Sequence, residues 1–84
     1  MATEKLTIKE RGLLVLYKVL DHDKTYSFRA LKAALMEAGA SIQYATLIIE
    51  ELEYHGALER VGRGIYKVNK TKLAKLARSY GLLR

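Results

Sequence analysis

Ser41-Ile42-Gln43-Tyr44-Ala45-Thr46-Leu47-Ile48-Ile49-Glu50-Glu51-Leu52-Glu53-Tyr54-His55-Gly56-Ala57-Leu58-Glu59-Arg60-Val61-Gly62-Arg63-Gly64-Ile65-Tyr66-Lys67-Val68 holds a helix start, a helix stop and a hairpin in one continuous run. Ser41 is a good N-cap, because its hydroxyl accepts from a free N–H of the first turn. Ala45, Ile48, Ile49 and Leu52 recur at helical spacing and form one apolar stripe. Gly56 stops the helix, since only glycine takes the left-handed C′ conformation without steric cost. The apolar runs 57–61 and 65–68 flank Gly62-Arg63-Gly64. Tight hairpin turns need positive φ, which glycine supplies, so two short strands are expected there.

Working outward toward the N-terminus, Ser27 can cap a helix whose inner face is Phe28, Leu31, Leu35 and Ala38 and which should stop at Gly39. Gly39-Ala40 alone separates it from Ser41, the spacing of a helix-turn-helix. Thr25-Tyr26-Ser27 reads as a short extended piece and Asp21-His22-Asp23-Lys24 as a polar break. Thr7-Ile8-Lys9-Glu10 has the form of a capping box and opens a first helix over 8–20, with Leu13, Leu16, Tyr17 and Leu20 inward. Met1–Leu6 reads as a frayed end. Beyond Val68, Asn69 or Thr71 can cap a last helix over about 71–80, closed by Gly81. Its apolar face is Leu73, Leu76, Ala77 and Tyr80.

Eighty-four residues form one small domain of modest buried surface. Half of them are hydrophobic, too many for a disordered chain. No apolar run approaches the roughly 20 residues that span a membrane, and no signal-peptide pattern opens the chain. Cysteine is absent, which excludes disulfides, thiolate nucleophiles and cysteine metal sites. A cytoplasmic protein is expected. One Asn, one Gln and no Cys, beside many Lys, Arg and Glu, point to a thermophilic source.

Charge is strongly segregated. Residues 1–59 carry seven Lys and Arg against nine Asp and Glu, whereas residues 60–84 carry eight Lys and Arg and no acid. A one-sided positive field of this kind attracts polyanions, and here it begins inside the hairpin with Arg60, Arg63 and Lys67.

Leu52-Glu53-Tyr54-His55-Gly56-Ala57-Leu58-Glu59-Arg60 resembles the join between recognition helix and wing in bacterial and archaeal winged helix-turn-helix regulators. The overall order is most similar to short stand-alone winged-helix proteins of archaea and their viruses and plasmids. The expected fold is therefore α+β: a three-helix winged-helix core with a small β-hairpin wing over 7–68, plus an added C-terminal helix over 69–84. The resemblance implies a non-enzymatic double-stranded DNA-binding protein, often a homodimer, in the first place a transcriptional regulator. The alternatives are an architectural, DNA-organising protein of low sequence specificity and a winged-helix protein–protein adaptor.

In that frame the N-terminal part of the 42–55 helix enters the major groove and the 60–67 wing lies on backbone or minor groove. A helix N-terminus favours phosphate. Ser41, Gln43, Tyr44 and Thr46 are its candidate contacts, Gln43 to adenine and Thr46 to a base edge or a thymine methyl. Tyr44 and Leu47 can equally just cover the protein's own surface. Glu50, Glu51 and Glu53 crowd the rest of the helix and repel phosphate, and no Lys or Arg is present to read guanine. Weak selectivity or an A/T preference follows. Arg63 can reach the minor groove from the wing tip, with Arg60 and Lys67 on backbone. Arg29 and Lys32 can contact backbone from the start of the second helix. Leu73, Leu76 and Tyr80 either fold back on the first helix or pair with a second copy; a dimer through this helix, the first helix or both is the preferred expectation, with the lysines of the last helix then adding charge beside the wing.

Nothing in the sequence supports catalysis, a cofactor or a small-molecule substrate. His22 and His55 lie 33 residues apart and match no metal motif, and no serine has a nearby base. Of the tyrosines at 17, 26, 44, 54, 66 and 80, Tyr17, Tyr66 and Tyr80 are expected to pack in or against the core.

Overall fold

The computed structural model describes residues 6–82; the frayed end expected over Met1–Leu6 lies, but for Leu6, outside the described residues. The chain is α+β, with helices α1 (Ile8–Val19), α2 (Phe28–Glu37), α3 (Ile42–Tyr54) and α4 (Lys70–Ser79) and strands β1 (Thr25–Ser27), β2 (Leu58–Gly62) and β3 (Ile65–Val68). The strands form one antiparallel sheet in the order β1-β3-β2. None of these helices is long and apolar enough to cross a membrane.

Local chemistry sets the helix boundaries. Thr7 Oγ1 accepts from Glu10 N at 3.1 Å while Glu10 Oε1 accepts from Thr7 N at 2.9 Å, completing the capping box of α1. Ser27 and Ser41 accept from Ala30 N and Tyr44 N at the starts of α2 and α3. Asn69, not Thr71, caps α4, so that helix begins one residue earlier than the sequence suggests. At the α2–α3 turn Gly39 has φ +109°, with Gly39 N donating to Met36 O and Ala40 N to Leu35 O. This paired return to the last turn satisfies orphan carbonyls and fixes the angle at which α3 leaves α2. Arg11 Nη1, reaching from α1, donates to Ala38 O at the same helix end.

The core is wholly apolar: Leu13, Leu16 and Leu20 from α1, Leu31 and Leu35 from α2, and Ala45, Ile48, Ile49 and Leu52 from α3 meet Leu58, Tyr66 and Val68 of the sheet. Leu73 of α4 belongs to the same cluster, and Leu76 and Tyr80 pack against it. This corrects the expected dimer face. Leu73 is only 1% exposed and cannot meet a second copy. A ten-residue helix with one apolar stripe buries it on the nearest hydrophobic surface, which here is chiefly α1 of its own chain.

Candidate nucleic-acid interface

The hairpin turn is tighter than the sequence suggests. Gly62 belongs to β2, the turn is Arg63-Gly64, and only Gly64 of this pair of glycines has positive φ, at +66°. A register shift between Arg60 and Gly62 leaves Val61 as a bulge. Gly64 O accepts from Phe28 N, the first residue of α2, at 2.7 Å. This one bond clasps the turn to the start of α2. It satisfies an N–H that a helix leaves free, and it sets Arg63 beside the turn that carries Arg29, with Lys32 one turn on. Arg29 and Arg63 are exposed and form no ion pair among the described residues. The first turn of α2 holds no acid, and Lys32 Nζ lies 5.5 Å from the Phe28 ring centre.

Arg60 and Lys67 do not join them. Cross-strand partners share a sheet face. Arg60, Tyr66 and Tyr26 are in register on the face that meets the core, whereas Glu59, Lys67 and Thr25 are in register on the other. Arg60 lies over the Tyr66 ring, donates to the Tyr66 hydroxyl at 3.2 Å and approaches Glu53 Oε2 at 3.6 Å. Lys67 faces Glu59 across the ladder and lies 3.9 Å from Asp23 Oδ1. Lys67 has two carboxylate neighbours, where Arg63 pairs with none among the described residues. The three wing cations are therefore split, and only Arg63 is unengaged.

At the start of α3 the expected residues take different parts. Gln43 is exposed. Ser41 spends its oxygen on the cap, and the Thr46 hydroxyl donates to Ile42 O at 3.0 Å, as threonines within helices commonly do. Tyr44 is half-buried against the core, the covering role rather than the contact role. Ten residues of α2 separate this end from the clasped turn, about 15 Å along a helix axis.

The acidic half of α3 is not a uniform negative face. Glu51 is bound inside the molecule: its Oε1 pairs with Lys9 and its Oε2 accepts from the Tyr80 hydroxyl at 3.1 Å. Partial burial pushes the Glu51 carboxyl up, but the Lys9 and Tyr80 contacts outweigh it and hold the group below its ordinary range. The hydrogen bonds to Glu51 and then Tyr80 keep the Lys9 ammonium well above its ordinary value. Glu53 is engaged with Arg60, which leaves Glu50 as the exposed carboxylate of the three. Beside it, Leu47 and Tyr54 stand 57% and 85% exposed.

α4 leaves the end of β3 opposite the turn, so its basic residues do not join Arg63, but Lys72 lines a groove with Glu59 and Arg60 of the wing strand β2. His22 is tied to this end: its Nδ1 accepts from Lys70 N at 2.9 Å, a second cap at the start of α4. His55 follows α3 as its C-cap and, with Lys72, Lys75, Leu76 and Ser79, lines an open groove of about 380 Å³. That groove carries cations and a hydroxyl but no carboxylate. Among the described residues no three His, Cys, Asp or Glu side chains gather as metal ligands would.

Comparison of the chain with protein-family models, with curated proteins and with solved structures gave no significant match, so the reading of this surface rests on its own geometry.

Proposed function

We propose that this chain is a winged helix-turn-helix protein that binds double-stranded DNA without catalysing a reaction, as a transcriptional regulator or DNA-organising protein. The clasp between Gly64 O and Phe28 N carries the reading, because it gathers Arg63, Arg29 and Lys32 at one acid-free corner beside a helix N-terminus. Phosphate is the ligand that such a group of cations suits, with the side chains rather than the capped N–H groups of α2 making the contact. The start of α3, about 15 Å away along α2, is a distance comparable with the roughly 12 Å width of a major groove. Gln43 can therefore enter the groove while the clasped corner holds flanking phosphates. Selectivity is weak, since the exposed side chains of α3 are Ile42, Gln43, Leu47, Glu50 and Tyr54 and none is a guanine reader. Dimerisation through Leu73 is not part of this reading.

The test is fluorescence anisotropy on a mixed-sequence duplex across a salt series. Arg63→Ala should weaken binding about tenfold and flatten the plot of log K against log salt by about one unit. Lys67→Ala, beside Asp23 and Glu59 and away from the clasped turn, should change affinity less than about twofold. Equal effects, or none, would sink the assignment. A protein-docking reading is favoured by the exposed Leu47 and Tyr54, which are unusual for a phosphate-facing helix. It requires indifference to Arg63→Ala.

A further inference from the structure

The outward face of α4 is uniformly basic. Leu73, Ala74 and Ala77 face the core, which turns Thr71, Lys72, Lys75, Arg78 and Ser79 to solvent. Thr71, Lys75 and Arg78 follow at i, i+4 and i+7 and form one stripe, with Lys72 and Ser79 along its edge. No acid follows Glu59 in the sequence. Lys75 and Arg78 make no ion pair among the described residues. Cations interleaved with hydroxyls on a straight helix suit the regular phosphates of a nucleic-acid backbone.

This face is separate from the clasped corner. The four residues of β3 put the start of α4 about 13 Å from the hairpin turn, at the other end of the sheet. α1 packs against both α2 and α4 and stands between them. Gly12 is the α1 residue pressed on Leu35 of α2, whereas Lys9 lies against Tyr80, the C-cap of α4, and Tyr17 against Lys70 of α4.

We infer that α4 is a second duplex-binding surface, so that one copy of the chain bridges two DNA segments. The inference rests on the DNA-binding reading above, and it adds that the protein is bivalent as a monomer. Two backbone contacts that must form at once also make bridging steeper in salt than single-duplex binding.

The experiment captures a labelled duplex on a second, bead-bound duplex in the presence of the full-length chain, with anisotropy on one short duplex in parallel. Lys75→Gln/Arg78→Gln changes two exposed side chains, and circular dichroism checks its fold; Lys75→Gln alone is the milder second variant. Bridging by the wild type should fall about tenfold or more in the double variant while single-duplex affinity stays within about threefold. Bridging that survives the double variant overturns the inference, as does a parallel loss of both signals, which would place α4 in the same footprint as Arg63. Duplex binding without any bridging by the wild type overturns it too, while leaving the DNA-binding reading intact. No binding to the single duplex removes the underlying reading first.

Discussion

Gly12 shows how much one missing methyl group sets. It lies inside α1, where glycine costs about 1 kcal/mol relative to alanine. A Cβ there would stand 2.7 Å from Leu35 Cδ2, and Leu35 is completely buried. Leu35 Cδ2 must shift within a core that leaves Leu35 no exposed surface, an overpacking of about 1–3 kcal/mol that we expect to exceed the gain in helix propensity. Gly12→Ala should therefore destabilise the protein by about 1 kcal/mol, lowering Tm by about 4–8 °C in calorimetry. A rise in Tm would show that the two helices separate easily. Helix propensity marks Gly12 as a weak point of α1; that it is a contact point with α2 depends on a residue 23 positions away.

At the scale of elements, Lys9 of α1, Glu51 of α3 and Tyr80 after α4 tie three helices together with one carboxylate. Glu51 is held low, so it adds stability above its unfolded value near 4.5 and loses it as pH falls through the lowered folded value. Lys9 is held high, so its contribution is complete below its unfolded value near 10.5 and fades as pH rises through the raised folded value. Both side chains are a little over a quarter exposed, which keeps the pair to about 1 kcal/mol. Urea denaturation should find Glu51→Gln less stable than wild type by about that amount at neutral pH, with the gap closing as pH falls through the lowered Glu51 value. A gap that persists in acid would mean that the lost contact is steric rather than ionic. The same carboxylate reads in the sequence as one of three repelling phosphate; its neutralisation comes from residues 42 and 29 positions away.

For the whole molecule the question is what α4 holds together. Leu73 in the core makes α4 part of the stability of its own chain. Leu73→Ala should cost about 2–4 kcal/mol. The denaturation midpoint of the variant and of the wild type should not move when protein concentration is raised about a hundredfold. A midpoint that climbs with concentration would return the apolar stripe to a partner. Burying this stripe also turns the basic one outward, which gives the molecule cationic surfaces at both ends of its sheet.

The sequence by itself determined the order of the elements and nearly all of their ends, because Thr7, Ser27, Ser41, Gly39, Gly56 and Gly81 act within a few residues of themselves. It determined the inward stripes of all four helices for the same reason, and the crowding of positive charge after Glu59. Tertiary structure decided which cations are available. Arg60 and Lys67 are both hairpin lysine-or-arginine positions in sequence, yet pairing register puts them on opposite faces, one over Tyr66 and one between Glu59 and Asp23. It decided that Arg63 joins Arg29 and Lys32, through a backbone bond spanning 36 residues. And it decided that α4 closes the core of its own chain, since an amphipathic helix specifies that its stripe is covered but not by what.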